Sequence, residues 1–478
     1  MLKRKAWNKL VEWKQRLPSH AGKAGGRPSK ALMLTGARQI GKTTLVREFA
    51  KHHYDHFAEL NFLTDPHASD IFGGALDART VITNLTAYLR QTLVPGKTLI
   101  LLDEVQECPR ARTAIKFLVE DGRFDYIETG SLLGVRVNDV PSYPVGFEEQ
   151  HRMFPMDFEE FCWANGVQPA VIDLLRDCFT HKRPVSESVH TTMLRLFQAY
   201  TVVGGMPEVV QRYVQTHDIA QTTELQRSLL DLYRLDIAKY ADSANRTKIR
   251  SIFDALPSQL SQHNRRFILA DLNKNARQAR YTSSFLWLSD AGVAMPCYNV
   301  ASPTVPLRAN EKHSLFKLFM NDTGLLCATS LDNVQFALLQ GDLDVNLGSI
   351  MENIVAQELL AHGFQLHYFD AKRYGELDFV VQSGSAILPI EVKSGNDWTK
   401  HRALDKVISV PDWNLDHAYV LCKGNISQEG PITYLPLYMT MFLEPQRLPE
   451  SMPFSVDVSA LNDIDFESIG NADSSPQT

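Results

Sequence analysis

Gly36-Ala37-Arg38-Gln39-Ile40-Gly41-Lys42-Thr43 follows the short apolar run Ala31-Leu-Met-Leu-Thr35 and precedes Thr44-Leu-Val-Arg-Glu-Phe-Ala50, in which Leu45, Phe49 and Ala50 recur at helical spacing. A buried strand, a glycine-containing turn and a helix in that order are the setting of a phosphate-cradling loop. Gly36 and Gly41 let the backbone approach an anion with no Cβ in the way. The loop N–H groups and the helix N-terminus then hold it. The expected nucleotide-contacting residues are Gly36, Ala37, Arg38, Gln39, Ile40, Gly41, Lys42, Thr43 and Thr44. Lys42 is expected to reach the β- and γ-phosphates and the Thr43 hydroxyl to bind Mg²⁺.

A second segment, Thr98-Leu-Ile-Leu-Leu-Asp103-Glu104, reads as a buried strand ending in two carboxylates. Asp103 is expected to hold Mg²⁺ and Glu104 to act as general base on the attacking water. An acidic pair at a strand end also suits a solvated loop; its distance from the loop at 36–43 favours the nucleotide site. Further strands are expected at Ala58–Phe62 and Asp125–Glu128, and their alternation with helical stretches implies a parallel sheet with crossover helices. Thr129 and Ser131, after the last of these, are candidates to sense the γ-phosphate, though Gly and Ser serve ordinary turns as well.

The chain has 478 residues, a net charge of −6 and a sequence pI near 6.2. About three domains of roughly 150 residues each are expected. An acidic chain can hold a polyanion only on a local surface. The six cysteines form no Cys-x-x-Cys pair, which argues against a zinc site and for a reducing compartment. The basic N-terminus lacks the apolar stretch of a signal peptide, and no apolar run approaches the ~20 residues of a membrane span. The expected setting is cytoplasmic, with no membrane partner; the composition does not address oligomeric state.

Residues 1–30 read as an amphipathic helix over 4–17 and a polar loop from His20 to Lys30; the NTPase domain follows at 31–165. Asp157 and Glu160 stand in capping-box spacing. The middle region, 166–310, is mostly helical, breaks at Val203-Gly-Gly-Met-Pro207, contains a long amphipathic stretch from Thr223 to Tyr240, and ends in short helices and a strand at Ala294–Val300, compatible with a winged helix. Arg246, Lys248, Arg250, Arg265, Arg266, Lys274, Arg277 and Arg280 crowd 246–280. They suit contact with a phosphate backbone, hence DNA, or simply a solvated face.

The third domain, 311–450, carries a helix from Ser349 with Glu352 on it and two strands, Leu377–Val381 and Ile387–Lys393. Pairing Gln382 with Ser385 across the turn places Asp378 opposite Pro389. Asp378, Glu391 and Lys393 then share a polar face, with the two carboxylates as diagonal neighbours roughly 7–8 Å apart at the backbone. Two carboxylates and an ammonium at that spacing suit metal-dependent phosphodiester cleavage, with Glu352 as a further ligand. A solvent-facing strand would look alike, and Ser349-x-x-Glu352 is also a capping box. Residues 451–478 are expected to be a tail, disordered from Gly470 to Thr478.

Gly36-Ala-Arg-Gln-Ile-Gly-Lys-Thr, Leu102-Asp-Glu-Val-Gln106, Glu128-Thr-Gly-Ser-Leu-Leu133, Tyr200-Thr-Val-Val-Gly-Gly-Met-Pro207, Asn321-Asp-Thr-Gly-Leu-Leu326 and Ile390-Glu-Val-Lys-Ser-Gly395 together resemble a large prokaryotic family of AAA+-like ATPases, over about residues 1–440. The resemblance implies an ATPase core using ATP and Mg²⁺, a winged-helix middle and a C-terminal fold similar to PD-(D/E)xK nucleases. It carries the catalytic roles onto Lys42, Glu104, Glu391 and Lys393, and the metal ligands onto Thr43 and Asp103 for Mg-ATP and Glu352, Asp378 and Glu391 for the nuclease-like site. Where many relatives place Asn after the fourth strand, this chain has Thr129 and Ser131. Arg136 and Arg152 are candidates for an arginine finger on position alone. Two functions follow: an ATPase controlling a nuclease that acts on DNA, or a nucleotide switch whose C-terminal domain only docks DNA or protein. A small-molecule kinase is disfavoured, since no acceptor-pocket motif accompanies the loop.

Overall fold

The computed structural model describes residues 2–17, 30–130, 144–243, 245–262, 266–272, 280–330, 335, 339, 348–447, 449 and 451–459. Ser131, Arg136, Arg265, Lys274, Arg277, most of the 20–30 loop and the 470–478 tail lie outside the described residues. Residues Met1–Pro445 form one unit and Gln446–Thr478 another.

In the first unit, helix α1 (Ala6–Arg16) leads to strands β1 (Ala31–Thr35), β2 (His56–Asn61), β3 (Thr98–Asp103), β4 (Asp125–Gly130) and β5 (Glu148–Arg152). These form one parallel sheet in the order β2-β3-β4-β1-β5. Every residue of β1, β3 and β4 is buried. That is the signature of central parallel strands covered on both faces, and it explains their unbroken apolar runs. The crossover helices are α2 (Lys42–His53), α3 (Ala78–Leu89) and α4 (Pro109–Asp121). β1 has β4 on one side and β5 on the other, so the order reverses at β1 and opens a crevice beyond its carboxyl end, where ligands of such sheets bind.

Helix α5 (Phe158–Ala164) opens with the expected capping box: Glu160 N donates to Asp157 Oδ1 at 2.9 Å and Asp157 N to Glu160 Oε2 at 3.3 Å. Then come α6 (Pro169–Thr180), α7 (Glu187–Val203), α8 (Pro207–Thr216), α9 (Ile219–Tyr240), α10 (Arg246–Leu260), the single turn α11 (Leu269–Leu272) and α12 (Thr282–Asp290). The antiparallel pair β6 (Ala294–Val300) and β7 (Glu311–Met320) follows directly. The expected boundary between 310 and 311 therefore runs through a hairpin.

α13 (Thr323–Ser330) and α14 (Gly348–Ala361) precede β8 (His367–Ala371) and β9 (Gly375–Leu377), which extend the hairpin into a four-stranded sheet in the order β7-β6-β8-β9. A second C-terminal sheet, β10-β11-β12-β14-β13, is built from β10 (Phe379–Ser383), β11 (Ala386–Val392), β12 (Ala418–Cys422), β13 (Ser427–Glu429) and β14 (Ile432–Pro436), with α15 (Arg402–Ile408) between β11 and β12.

One apolar core runs from Trp13 and Phe49 through Tyr200, Phe253 and Leu318 to Ile354 and Ile390. Smaller cores lie against β2–β4 and under the last sheet. Continuity of the main core across all three expected domains is what makes residues 1–445 one body. In the second unit the described residues have no strand, and Met452, Phe454 and Val456 are exposed.

Two of the family-like segments meet at the break after α7. Gly204 has φ +75°. Gly205 N donates to Asp322 Oδ2 at 2.6 Å, and Asp322 Oδ1 accepts Leu325 N at 2.9 Å, so one buried carboxylate satisfies the bend and the start of α13. A Cβ on Gly205 would lie 2.1 Å from the backbone oxygen of Met156. Gly205→Ala is expected to cost at least about 2 kcal/mol, because backbone rather than a side chain would have to move; urea unfolding of the variant against the wild type measures it.

Candidate functional site

The carboxyl ends of β1, β2, β3 and β4 place their last polar residues side by side. Asp103, ending β3, is 2 % exposed. Its Oδ1 accepts the Thr43 hydroxyl at 2.8 Å and also the Thr129 hydroxyl; its Oδ2 accepts Asn61 Nδ2 at 2.6 Å. Three elements thus hold one carboxylate, as a buried anion requires. Thr129 sits on Asp103 itself, so the residue expected to sense phosphate braces the acid.

The loop has the backbone its glycines allow: Gly36 at φ +139° and Gly41 at +85°, with Gln39 at +64°. A Cβ on Gly36 would meet Met153 O at 2.4 Å. Lys42 is buried, and its Nζ donates to Gly36 O at 3.0 Å and Ala37 O at 2.8 Å, folded back over the cradle. Burial pushes its pKa down to about 8, against the opposing pull of Glu104 and Asp103. Thr44 and Gln39 are exposed.

Glu104 follows at φ +54°, and its Oε2 accepts Gln106 Nε2, which orients the carboxylate. Thr43 Oγ1 beside Asp103 Oδ1, with an ammonium above the loop, is a donor set that fits Mg²⁺ and a triphosphate. Asn61 and Gln106 were not among the residues singled out from sequence. Each had a signal: Asn61 ends a strand beside β3, and Gln106 stands in the Leu102–Gln106 segment.

The loop is also gripped from outside. Arg4 donates to Ile40 O at 2.9 Å and pairs with Glu160 at 3.1 Å. Arg38 reaches away from the cradle to α9. A Cβ on Gly292, in the turn after α12, would lie 3.1 Å from Ala37 N. Arg152, a finger candidate, is used within the chain: it donates to Ser289 O at 3.1 Å and lies over the Phe154 ring.

The C-terminal cluster differs from expectation in register and in partners. β10 pairs Phe379 with Ile390 and Gln382 with Ile387, so each β10 residue faces a partner two residues later than expected and the turn falls one residue later, at Gly384 and Ser385. Gly384, at φ +61°, supplies the left-handed turn position. The shift of two preserves the faces: Phe379, Val381, Ile390 and Val392 enter the main core. The opposite face is buried too, since Val380 and Ile387 join the third core and Glu391 is 8 % exposed.

Asp378 falls at the break between β9 and β10, where its Oδ2 accepts Val392 N at 2.8 Å. Glu391 pairs with Lys393 at 2.7 Å, and its Oε2 is buried with no hydrogen bond. Burial first, then the Asp378 charge, push its pKa up to about 7. Ser349 lies inside α14, so it does not cap it.

Glu352 meets a cation that sequence reading passed over. Lys317 is fully buried in β7, with Nζ 3.4 Å from Glu352 Oε2 and 2.6 Å from Glu376 Oε1. Its signal was a lysine in the apolar run Leu315-Phe-Lys-Leu-Phe-Met320. Among the described residues no three His, Cys, Asp or Glu side chains converge as a metal's ligands would. As arranged, Glu352 is paired with Lys317, Glu391 with Lys393, and Asp378 accepts a backbone N–H.

The basic stretch is partly spent internally. Arg266 pairs with Asp370, Arg250 lies 3.6 Å from Asp254, and Lys248 donates to Asn245 at 3.0 Å. α12, the third helix before the hairpin, carries no lysine or arginine.

Lys317→Met is expected to cost roughly 3–5 kcal/mol, since it removes the ammonium from the buried Glu352 carboxylate, and adding Glu352→Gln is expected to recover part of that; urea unfolding of both variants checks it. The folded-state pKa of Glu391 is above the ordinary carboxyl value, so the folded chain binds the proton more tightly. Its contribution favours folding below pH 4.5 and is lost as pH rises to about 7. Glu391→Gln is expected to flatten the fall in stability over that window in denaturation at stepped pH.

Residues 28–162 match the family described as AAA domain, residues 194–335 a Domain of unknown function (DUF8612), and residues 347–439 a Domain of unknown function (DUF4143). No curated protein matches the chain. Among solved structures it is similar to a Walker-type ATPase of Pyrococcus abyssi, at 13 % identity over 69 % of this chain and 96 % of that one, with a TM-score of 0.39. The Aeropyrum pernix ORC1 protein, solved with DNA, gives 15 %, 71 %, 94 % and 0.25. The Thermotoga maritima RuvB Holliday junction branch migration motor gives 14 %, 61 %, 89 % and 0.29. These TM-scores are too low to bear on mechanism. No helix among the described residues is long and apolar enough to cross a membrane. The match over residues 28–162 and the phosphate-loop geometry agree in giving this part of the chain a P-loop nucleotide-binding fold.

Proposed function

We propose that this chain is an ATP-hydrolysing nucleotide switch whose C-terminal domain docks a partner without cutting nucleic acid. The observation that supports the ATPase half is the convergence of Thr43, Asn61 and Thr129 on Asp103, beside Lys42 and Glu104. In this reading the loop N–H groups bind the phosphates. Lys42 leaves the Gly36 and Ala37 carbonyls for the β- and γ-oxygens. Thr43 and Asp103 would hold Mg²⁺, which would supply positive charge to the phosphates. Glu104, oriented by Gln106, takes the proton of the attacking water.

The buried Lys317 supports the docking half. A fixed ammonium against Glu352 and Glu376 performs the neutralisation that a divalent ion would otherwise supply, and it brings no water to activate. Arg266, one cation of the 246–280 stretch, is spent on Asp370 within the chain.

Lys42→Ala is expected to abolish ATP turnover. Glu104→Gln is expected to bind ATP and hydrolyse it about 10²–10⁴-fold more slowly, the usual share of a general base; phosphate release and nucleotide titration measure both. Normal turnover in both variants would remove the site assignment. The full chain is expected to leave DNA and RNA intact with Mg²⁺ or Mn²⁺. Nicking that disappears in Asp378→Ala would overturn the docking reading.

A further inference from the structure

Arg38 is the one cationic side chain inside the loop besides Lys42, and it is turned away from the cradle. Its guanidinium donates to Asp236 Oδ1 at 2.7 Å and to the Tyr240 hydroxyl at 2.7 Å, and lies 5.0 Å from the centre of the Tyr240 ring. The Arg38 carbonyl accepts the Tyr233 hydroxyl at 3.2 Å. Tyr233, Asp236 and Tyr240 are spaced three and four residues apart, on one face of α9. The same face reaches the other half of the nucleotide site, because Tyr240 donates to Glu107 Oε1 at 2.8 Å, in the turn that begins at Glu104.

This contact is only half satisfied. Arg38 Nε and Asp236 Oδ2 are both buried and without a hydrogen bond. A buried polar pair in that state is held less firmly than a complete one, so a stronger anion competes for the arginine. Asp236 feels burial and the charge of Glu104 as well as Arg38. The triphosphate that the proposed function places in the cradle carries more charge than one carboxylate and offers bidentate oxygens.

We propose that Asp236 and Tyr240 are positioning residues for ATP hydrolysis: they hold Arg38 away from the phosphate cradle, release it to a bound triphosphate, and through Tyr240 and Glu107 tie that exchange to the turn bearing Glu104. α9 is thereby the element of the middle region that responds to the nucleotide. The inference rests on ATP occupying the loop at 36–43.

The test uses the full-length Glu104→Gln chain, which retains unhydrolysed ATP, with and without Asp236→Asn. Hydrogen exchange over the last two turns of α9 is expected to rise when MgATP is added to Glu104→Gln. Adding Asp236→Asn is expected to remove that response and to tighten binding of a fluorescent ATP analogue roughly five- to tenfold, as loss of a competing carboxylate predicts. Asp236→Glu is expected to restore the response. In the otherwise wild-type chain, Tyr240→Phe, which keeps the ring, is expected to lower kcat several-fold with KM unchanged. Exchange in α9 that ignores bound ATP, or that responds equally in Asp236→Asn, overturns the inference and leaves the ATPase reading standing. Failure to bind the analogue at all overturns the ATPase reading and this one with it.

Discussion

The carboxylate of Asp103 organises the P-loop domain. A buried anion at the end of a central strand must be given donors, and here the donors come from the helix after the loop, from the end of β2 and from the end of β4. Each of those contacts constrains a different crossover. Together they bring Thr43, Asn61 and Thr129 to one point at the level where the sheet order reverses. These contacts are all made by the chain's own side chains, which fix the geometry of the cradle from within.

That cradle does not stand alone. Arg4 bonds a loop carbonyl and Glu160, and its neighbour Lys5 pairs with Asp157 and Glu159 at 2.7 Å each. His362, on the turn after α14, lies 3.4 Å from Asp157 and 3.8 Å from Glu358, and Glu358 accepts the Tyr200 hydroxyl at 2.9 Å. Buried charges thus run from the loop through the N-terminal segment and the α5 cap to the C-terminal helix. Charges with so little access to water are costly to separate. α9 gives a second, shorter connection through Arg38.

Legibility followed locality. The loop, the acidic strand end, the capping box at Asp157 and the break at Gly204-Gly205 are each signalled by residue types within a few positions, and the structure has them there. The strand face bearing Asp378, Glu391 and Lys393 was legible as well, because side chains alternate with a period of two whatever the turn. The turn was not: a two-residue shift leaves the faces unchanged, so the pattern could not distinguish the registers. Lys317 escaped because its two carboxylates come from α14 and β9, far along the chain. A lysine in an apolar run announces that a partner exists, not which one.

Residue pattern alone was enough to show a phosphate-loop strand–turn–helix, an acidic strand end beside it, and pairing between the strand after Asp378 and the strand bearing Glu391. Spacing and residue type suffice for these because backbone geometry over short stretches is nearly universal. Only the tertiary structure decided what surrounds them. It placed Asp236 and Tyr240 on Arg38, Arg4 on the loop and Lys317 among the carboxylates. Those partners lie from about 35 to about 200 residues away, and only packing of the whole chain, which buries the charges and so forces them to find one another, could select them.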